Sequence, residues 1–229
     1  MRIRYEDIDP SFIKALVTVL LSAHVICWTV CYAISASNGT LQYPNLFLSR
    51  AMDSDPSRAF ACVLFPIMAG MTGFVLFLRS VLLSRRLETK TQKLVWKIFN
   101  ACSILITFGM IAVPAVPYSL STVIHMAAAY TVFVSGFTIM FLSTFLDRSL
   151  GLAVAGWVGR IRMTLNIIAF FGFVGFAVFF YIDYFVSSMC EIVAAACMFS
   201  FVCSLAHESE FFSKNISDLE AKRIPDLAA

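Results

Sequence analysis

Apolar residues in this chain gather into six long runs, at 12–36, 60–83, 95–116, 121–146, 163–181 and 187–205, with short polar stretches between them. Each run comes close to the roughly 20 residues that a helix needs to cross about 30 Å of hydrocarbon at about 1.5 Å per residue. A membrane-spanning barrel would instead show short strands of alternating polarity, and that pattern does not occur. The expected fold is therefore all-α: one six-helix transmembrane domain over 1–229, with a loop at 37–58 and a tail at 206–229.

The first run is too long for the compact apolar core of a cleaved leader and is not followed by a small-x-small cleavage site, so it reads as a retained span. Hydrophobic residues make up 60% of the chain and charged residues only 14%, which leaves the connections no room for a soluble domain. Placing both termini in the cytosol puts 15 of the 17 basic residues on the inner side and leaves only Arg50 and Arg58 outside. The positive-inside rule favours that orientation. The net charge of +3 then reflects topology and attraction to anionic inner-leaflet lipid, and gives no support to nucleic-acid binding.

The loop at 37–58 is the largest segment expected outside. It holds the sequon Asn38-Gly39-Thr40, a candidate glycosylation site, whereas the sequon at Asn215 falls in the expected cytosolic tail. The stretch 43–52 is amphipathic and either lies in the headgroup region or packs over the helix ends. Asp53, Asp55, Pro56 and Ser57 supply N-cap chemistry for the second span. On the inner side, Arg85, Arg86, Lys90 and Lys93 are candidate contacts for anionic phospholipid. The segment 147–162, which contains Trp157, reads as a surface or re-entrant piece along the inner interface.

Ionisable groups within the spans are few and expensive, so each is a functional suspect. His24, His125, Glu191 and His207 stand out, and the histidines sit at unequal depths, so they form no haem or metal set. His125 and Glu191 share a depth near the outer surface and are a candidate intramembrane pair between the fourth and sixth spans. For His24, an interhelical hydrogen bond is the expected role. Small residues four apart, Ala127, Thr131 and Ser135 on the fourth span and Ala196, Ser200 and Ser204 on the sixth, are candidate helix-packing positions. The seven cysteines form no C-x-x-C pair; most read as packing residues, and Cys62 and Cys190, both near the outer end, leave a bridge open. No metalloprotease, nucleophile-elbow or phosphate-loop motif occurs, and no catalytic residue or cofactor is expected.

Several local sequences nevertheless converge. Tyr43-Pro44 followed by Asp53-Ser54-Asp55-Pro56, the start of the fourth span Val123-Ile124-His125-Met126-Ala127-Ala128, and Met189-Cys190-Glu191-Ile192-Val193 before Glu210-Phe211 resemble the DRAM (damage-regulated autophagy modulator) and FRAG-type superfamily across nearly the whole chain. The resemblance implies a six-span protein at lysosomal, endosomal or plasma membranes, acting in autophagy, in recruitment of a phosphoinositide kinase, or in GPI-anchor lipid remodelling. The expected function is a non-enzymatic organiser or modulator that works through membrane lipids and a membrane or cytosolic protein partner. The alternatives are an auxiliary subunit of a channel or receptor, and a lipid-remodelling factor.

Overall fold

The structure, a computed structural model, describes residues 10–84, 86–151 and 156–205. Those residues form seven helices: α1 (Pro10–Ser37), α2 (Leu48–Ala51), α3 (Ser57–Ser84), α4 (Lys90–Ala115), α5 (Thr122–Ser149), α6 (Gly156–Phe179) and α7 (Tyr184–Ser204). All but the short α2 are long and apolar enough to cross a membrane, so the six expected spans are all present. His207, the tail and its Asn215 sequon, Arg85 and the piece 152–155 lie outside the described residues.

Local chemistry fixes several helix starts. Thr89 and Gln92 form a reciprocal capping box at α4, the Ser121 hydroxyl caps α5, and the Asp183 carboxylate accepts from the N–H groups of Phe185 and Val186 at α7. For α3 the expected cap fails. Asp53 turns instead to the connection between α4 and α5, and Ser57 donates its hydroxyl back to Ser54 O.

Consecutive long helices pack side by side, and α7 returns to touch α1 and α5. The spans therefore close into a ring whose connections alternate between two ends. One end carries the α1–α3 loop together with the α4–α5 and α6–α7 connections. The other, the basic end, carries the α3–α4 and α5–α6 connections and the end of α7. Close approach is bought with small residues. A Cβ at Gly172 of α6 would lie 3.2 Å from each of Ala194 Cβ, Ala194 N and Cys190 O on α7.

Helices α5 and α6 run further toward the basic end than hydropathy suggests. Helix α5 continues to Ser149, and α6 begins at Gly156 rather than near 163. Trp157 thus belongs to the first turn of α6 instead of a separate interfacial piece. Of the charged residues that blurred these boundaries, Asp147 and Arg162 pair with each other and Arg148 and Arg160 are exposed.

Candidate functional site

The α1–α3 loop folds inward over the helix ends. Phe47, Leu48, Ala51 and Met52 are buried, so this part of 43–52 packs over the bundle, whereas Tyr43 at its start is exposed. The Phe47 ring lies 5.7 to 6.3 Å from those of Phe176, Phe180 and Tyr184. Hydrogen bonds then tie the loop to three other segments. Ser35 Oγ donates to Ala51 O at 2.7 Å, Ser119 N donates to Asp53 Oδ1 at 3.0 Å, and Leu48 N donates to Glu191 Oε2 at 2.7 Å. The last bond satisfies a helix-start N–H of α2, which has no acceptor within its own helix.

Glu191, only 4% exposed, sits where two cavities meet. One, of about 190 Å³, has a mixed wall that includes Arg50, Tyr118, Tyr184 and Glu191. The other, of about 70 Å³, is apolar and is lined by residues such as Trp28, Phe65, Met110 and Phe199 as well as Glu191. Arg50 stacks over the Tyr118 ring at 3.9 Å and pairs with Asp53 at 3.1 Å. The arrangement offers a buried hydrogen-bond acceptor beside an apolar pocket, with a cation on the far wall.

The expected pairing of His125 with Glu191 is not formed. Although both are buried near this end, His125 Nδ1 donates to Val116 O at 2.7 Å, and its Nε2 has no hydrogen-bond partner among the described residues. Matching depth placed the two residues at one level without fixing which way each helix turns them. His24 departs from expectation for a related reason. Its Nδ1 donates to Leu20 O within α1 at 2.8 Å, and across the helix boundary it meets Phe199 ring to ring at 3.7 Å rather than through a hydrogen bond.

Cys62 and Cys190 are both free thiols; Cys62 Sγ donates to Pro114 O at 3.2 Å, and Cys190 packs against Gly175. The packing stripes are also rotated from their expected faces. Ser135 and Ser204 are buried and Thr131 is half-buried, but Ala127, Ala196 and Ser200 face outward. The close contacts within the bundle use Gly136, Gly172 and Ala194 instead. Asn38 is exposed, and its Oδ1 accepts from both Thr40 N at 3.1 Å and Thr40 Oγ1 at 2.7 Å. Gly39 makes this turn possible by adopting φ +74°, where a side chain would be strained.

The basic end holds a cluster that hydropathy did not single out. Asp147 bridges two arginines, accepting from Arg79 Nη2 at 2.7 Å and from Arg162 Nη1 at 2.9 Å. Arg162 also donates from Nε to Ser204 Oγ at 2.8 Å and from Nη2 to Ser204 O at 3.0 Å. The three ionised residues are 3%, 7% and 1% exposed in the order Arg79, Asp147, Arg162, and together with Ser204 they join α3, α5, α6 and α7. One turn deeper, Asn166 Nδ2 donates to Thr144 Oγ1 at 2.9 Å. An acid at the end of an apolar run was the available signal. It was masked because the arginines already had an explanation in topology.

Nearby, Lys90, Lys93 and Lys97 are exposed at spacings of three and four along the first turns of α4, and so share a face. Arg86 is half-buried beside them, and burial lowers its pKa from the usual guanidinium value. Gln92, at the centre of the capping box, donates to Ser149 O at 3.2 Å and fastens this connection to the end of α5.

Six apolar spans closed into a ring, with a buried polar cluster at each end, define a multi-pass membrane protein. A family model described as Frag1/DRAM/Sfk1/Cwh43P N-terminal domain matches residues 12–209, and the chain belongs to that family. Comparison with curated proteins and with solved structures returned no match.

Proposed function

We propose that the protein is a non-enzymatic membrane organiser or modulator that works through lipid and partner contacts at a lysosomal, endosomal or plasma membrane. The carrying observation is Glu191 at the junction of the mixed and apolar cavities beneath the loop. Only Oε2 of its carboxyl is occupied among the described residues, by Leu48 N, which leaves Oε1 able to accept from a donor on an entering head group. An amphiphile suits this arrangement: a polar head in the larger cavity and an apolar portion toward Trp28 and Phe199. The exposed lysine face of α4 supports contact with anionic lipid or a cytosolic partner at the opposite end, where a role in autophagy or kinase recruitment would be exerted. In the same orientation Asn38 lies on the non-cytosolic side and carries the glycan.

Native mass spectrometry of the purified protein in nanodiscs made from native lipid tests the reading. Glu191→Leu is expected to lose co-purifying lipid and about 1–2 kcal/mol of stability, because it removes the acceptor and strands the Leu48 N–H. Glu191→Gln should retain most of both, since an amide oxygen still accepts. Equal lipid retention by wild type and the leucine variant would rule out this site. Chemically altered lipid after incubation would replace the organiser with a remodelling factor.

The outward-facing Ala127, Ala196 and Ser200 favour a second reading, an auxiliary subunit whose small residues receive the helix of a partner. Replacing Ala196 and Ser200 with leucine should then remove a membrane neighbour from proximity labelling while leaving the thermal midpoint of the isolated protein unchanged. An unchanged set of neighbours would eliminate this reading.

A further inference from the structure

Between the last turns of α5 and the first turns of α6, at the basic end, lies a cavity of about 490 Å³, within the roughly 300–1,000 Å³ common for small-molecule sites. Arg148, Arg160 and Arg162 contribute to its wall, and the one acid there is Asp147. That carboxylate is already committed, with one oxygen on Arg79 and the other on Arg162. Three guanidinium groups are therefore set against a single neutralised acid.

Their surroundings differ in a useful way. Arg162 is buried and held in place by Asp147 and Ser204. Arg148 and Arg160 are exposed, and neither makes a hydrogen bond or ion pair among the described residues. Bases that served topology alone would need only to lie on the correct side of the membrane. Here two of them share one cavity wall with a third whose position is fixed.

The backbone adds to the same preference. Gly156 and Gly159 both line the cavity, and a Cβ at either would meet nothing within 4 Å. The wall is thus open at these two positions near the start of α6, where helix N–H groups favour an anion. Thr164, also in the wall, brings a hydroxyl that can donate to a phosphate oxygen.

We propose that this cavity is a phosphate-binding site for a phosphomonoester, carried by an anionic lipid head or by a soluble metabolite, with Arg148 and Arg160 as its adaptable cations and Arg162 as the fixed one. Planar guanidinium groups suit the task because Arg148 and Arg160 can each offer two parallel N–H donors to phosphate oxygens, while Arg162 adds a fixed positive charge. The site is separate from the Glu191 cavities, so either assignment can fail without the other.

The test uses the full chain in phosphatidylcholine nanodiscs. One arm adds phosphatidic acid to the bilayer. The other adds glycerol 3-phosphate, the same head without acyl chains, to the solution. Occupancy is read by native mass spectrometry and by the shift in thermal midpoint. Wild type should bind at least one of these probes, and binding should weaken about thirtyfold in Arg148→Gln/Arg160→Gln, the factor set by two near-surface bases, and should fall with salt. Arg148→Lys/Arg160→Lys should retain an intermediate affinity. Response to phosphatidic acid alone identifies a lipid head; response to glycerol 3-phosphate as well identifies a soluble phosphate. Failure of both probes to bind wild type, or full binding by a folded double-glutamine variant, overturns the proposal.

Discussion

Asp147→Leu is expected to lower stability by about 3–5 kcal/mol, enough to deplete the mature protein from membranes. The wild-type carboxylate takes one hydrogen bond from each of two buried arginines. Leucine would leave two buried guanidinium groups close together with no shared counter-ion. The cost is mainly the penalty of stranded charge, so removing the charge should recover it. A triple variant, Asp147→Leu with Arg79→Leu and Arg162→Met, is expected to regain most of the loss, because apolar replacement of a whole buried ion cluster is often close to neutral. Thermal midpoints of the purified variants decide the matter. A stable single variant, or a triple variant no better than the single, would show that the cluster does not hold the helices as described.

The second large effect is expected at Gly172→Val, at about 2–3 kcal/mol, in the upper part of the usual overpacking range. A Cβ there would come within 3.2 Å of Ala194 N, Ala194 Cβ and Cys190 O. Two of those three atoms are backbone and cannot step aside by changing rotamer, so α6 and α7 must separate. Gly136 provides the contrast. A Cβ at Gly136 would approach Met198 Cε still more closely, but that atom ends a flexible side chain that can swing away, so Gly136→Ala should cost less. Gly156→Ala meets nothing and serves as the control. Equal midpoints for Gly172→Val and Gly156→Ala would contradict the close α6–α7 packing.

Hydropathy revealed the spans because the cost of exposing peptide groups to lipid dictates both their length and their helical form. It also placed Glu191 and His125 at a common depth, since depth follows from counting residues along a helix. It could not give azimuth. The direction in which a side chain points depends on neighbouring helices, and both residues found backbone partners instead of each other. The same gap turned Ala127, Ala196 and Ser200 to the outside. At the basic end the difficulty was of another kind. Arg79 and Arg162 were sufficiently explained by orientation, and that explanation hid their second role as ligands of Asp147. Charge that sets topology and charge that builds an interior have the same appearance in sequence and are separated only by burial.

The bond between Leu48 and Glu191 joins residues 143 positions apart, and this fixes an order of events during synthesis. Chains grow from the N-terminus at about 5–20 residues per second, so the α1–α3 loop leaves the ribosome roughly 7–30 s before the acceptor it docks on. Over that interval Phe47 and Leu48 have no finished seat, because the aromatic side chains and carboxylate that receive them belong to α6 and α7. Docking of the loop consequently waits on α7. A chain interrupted before α7 would lack Glu191 and Tyr184, and the apolar side chains of the loop would stay undocked.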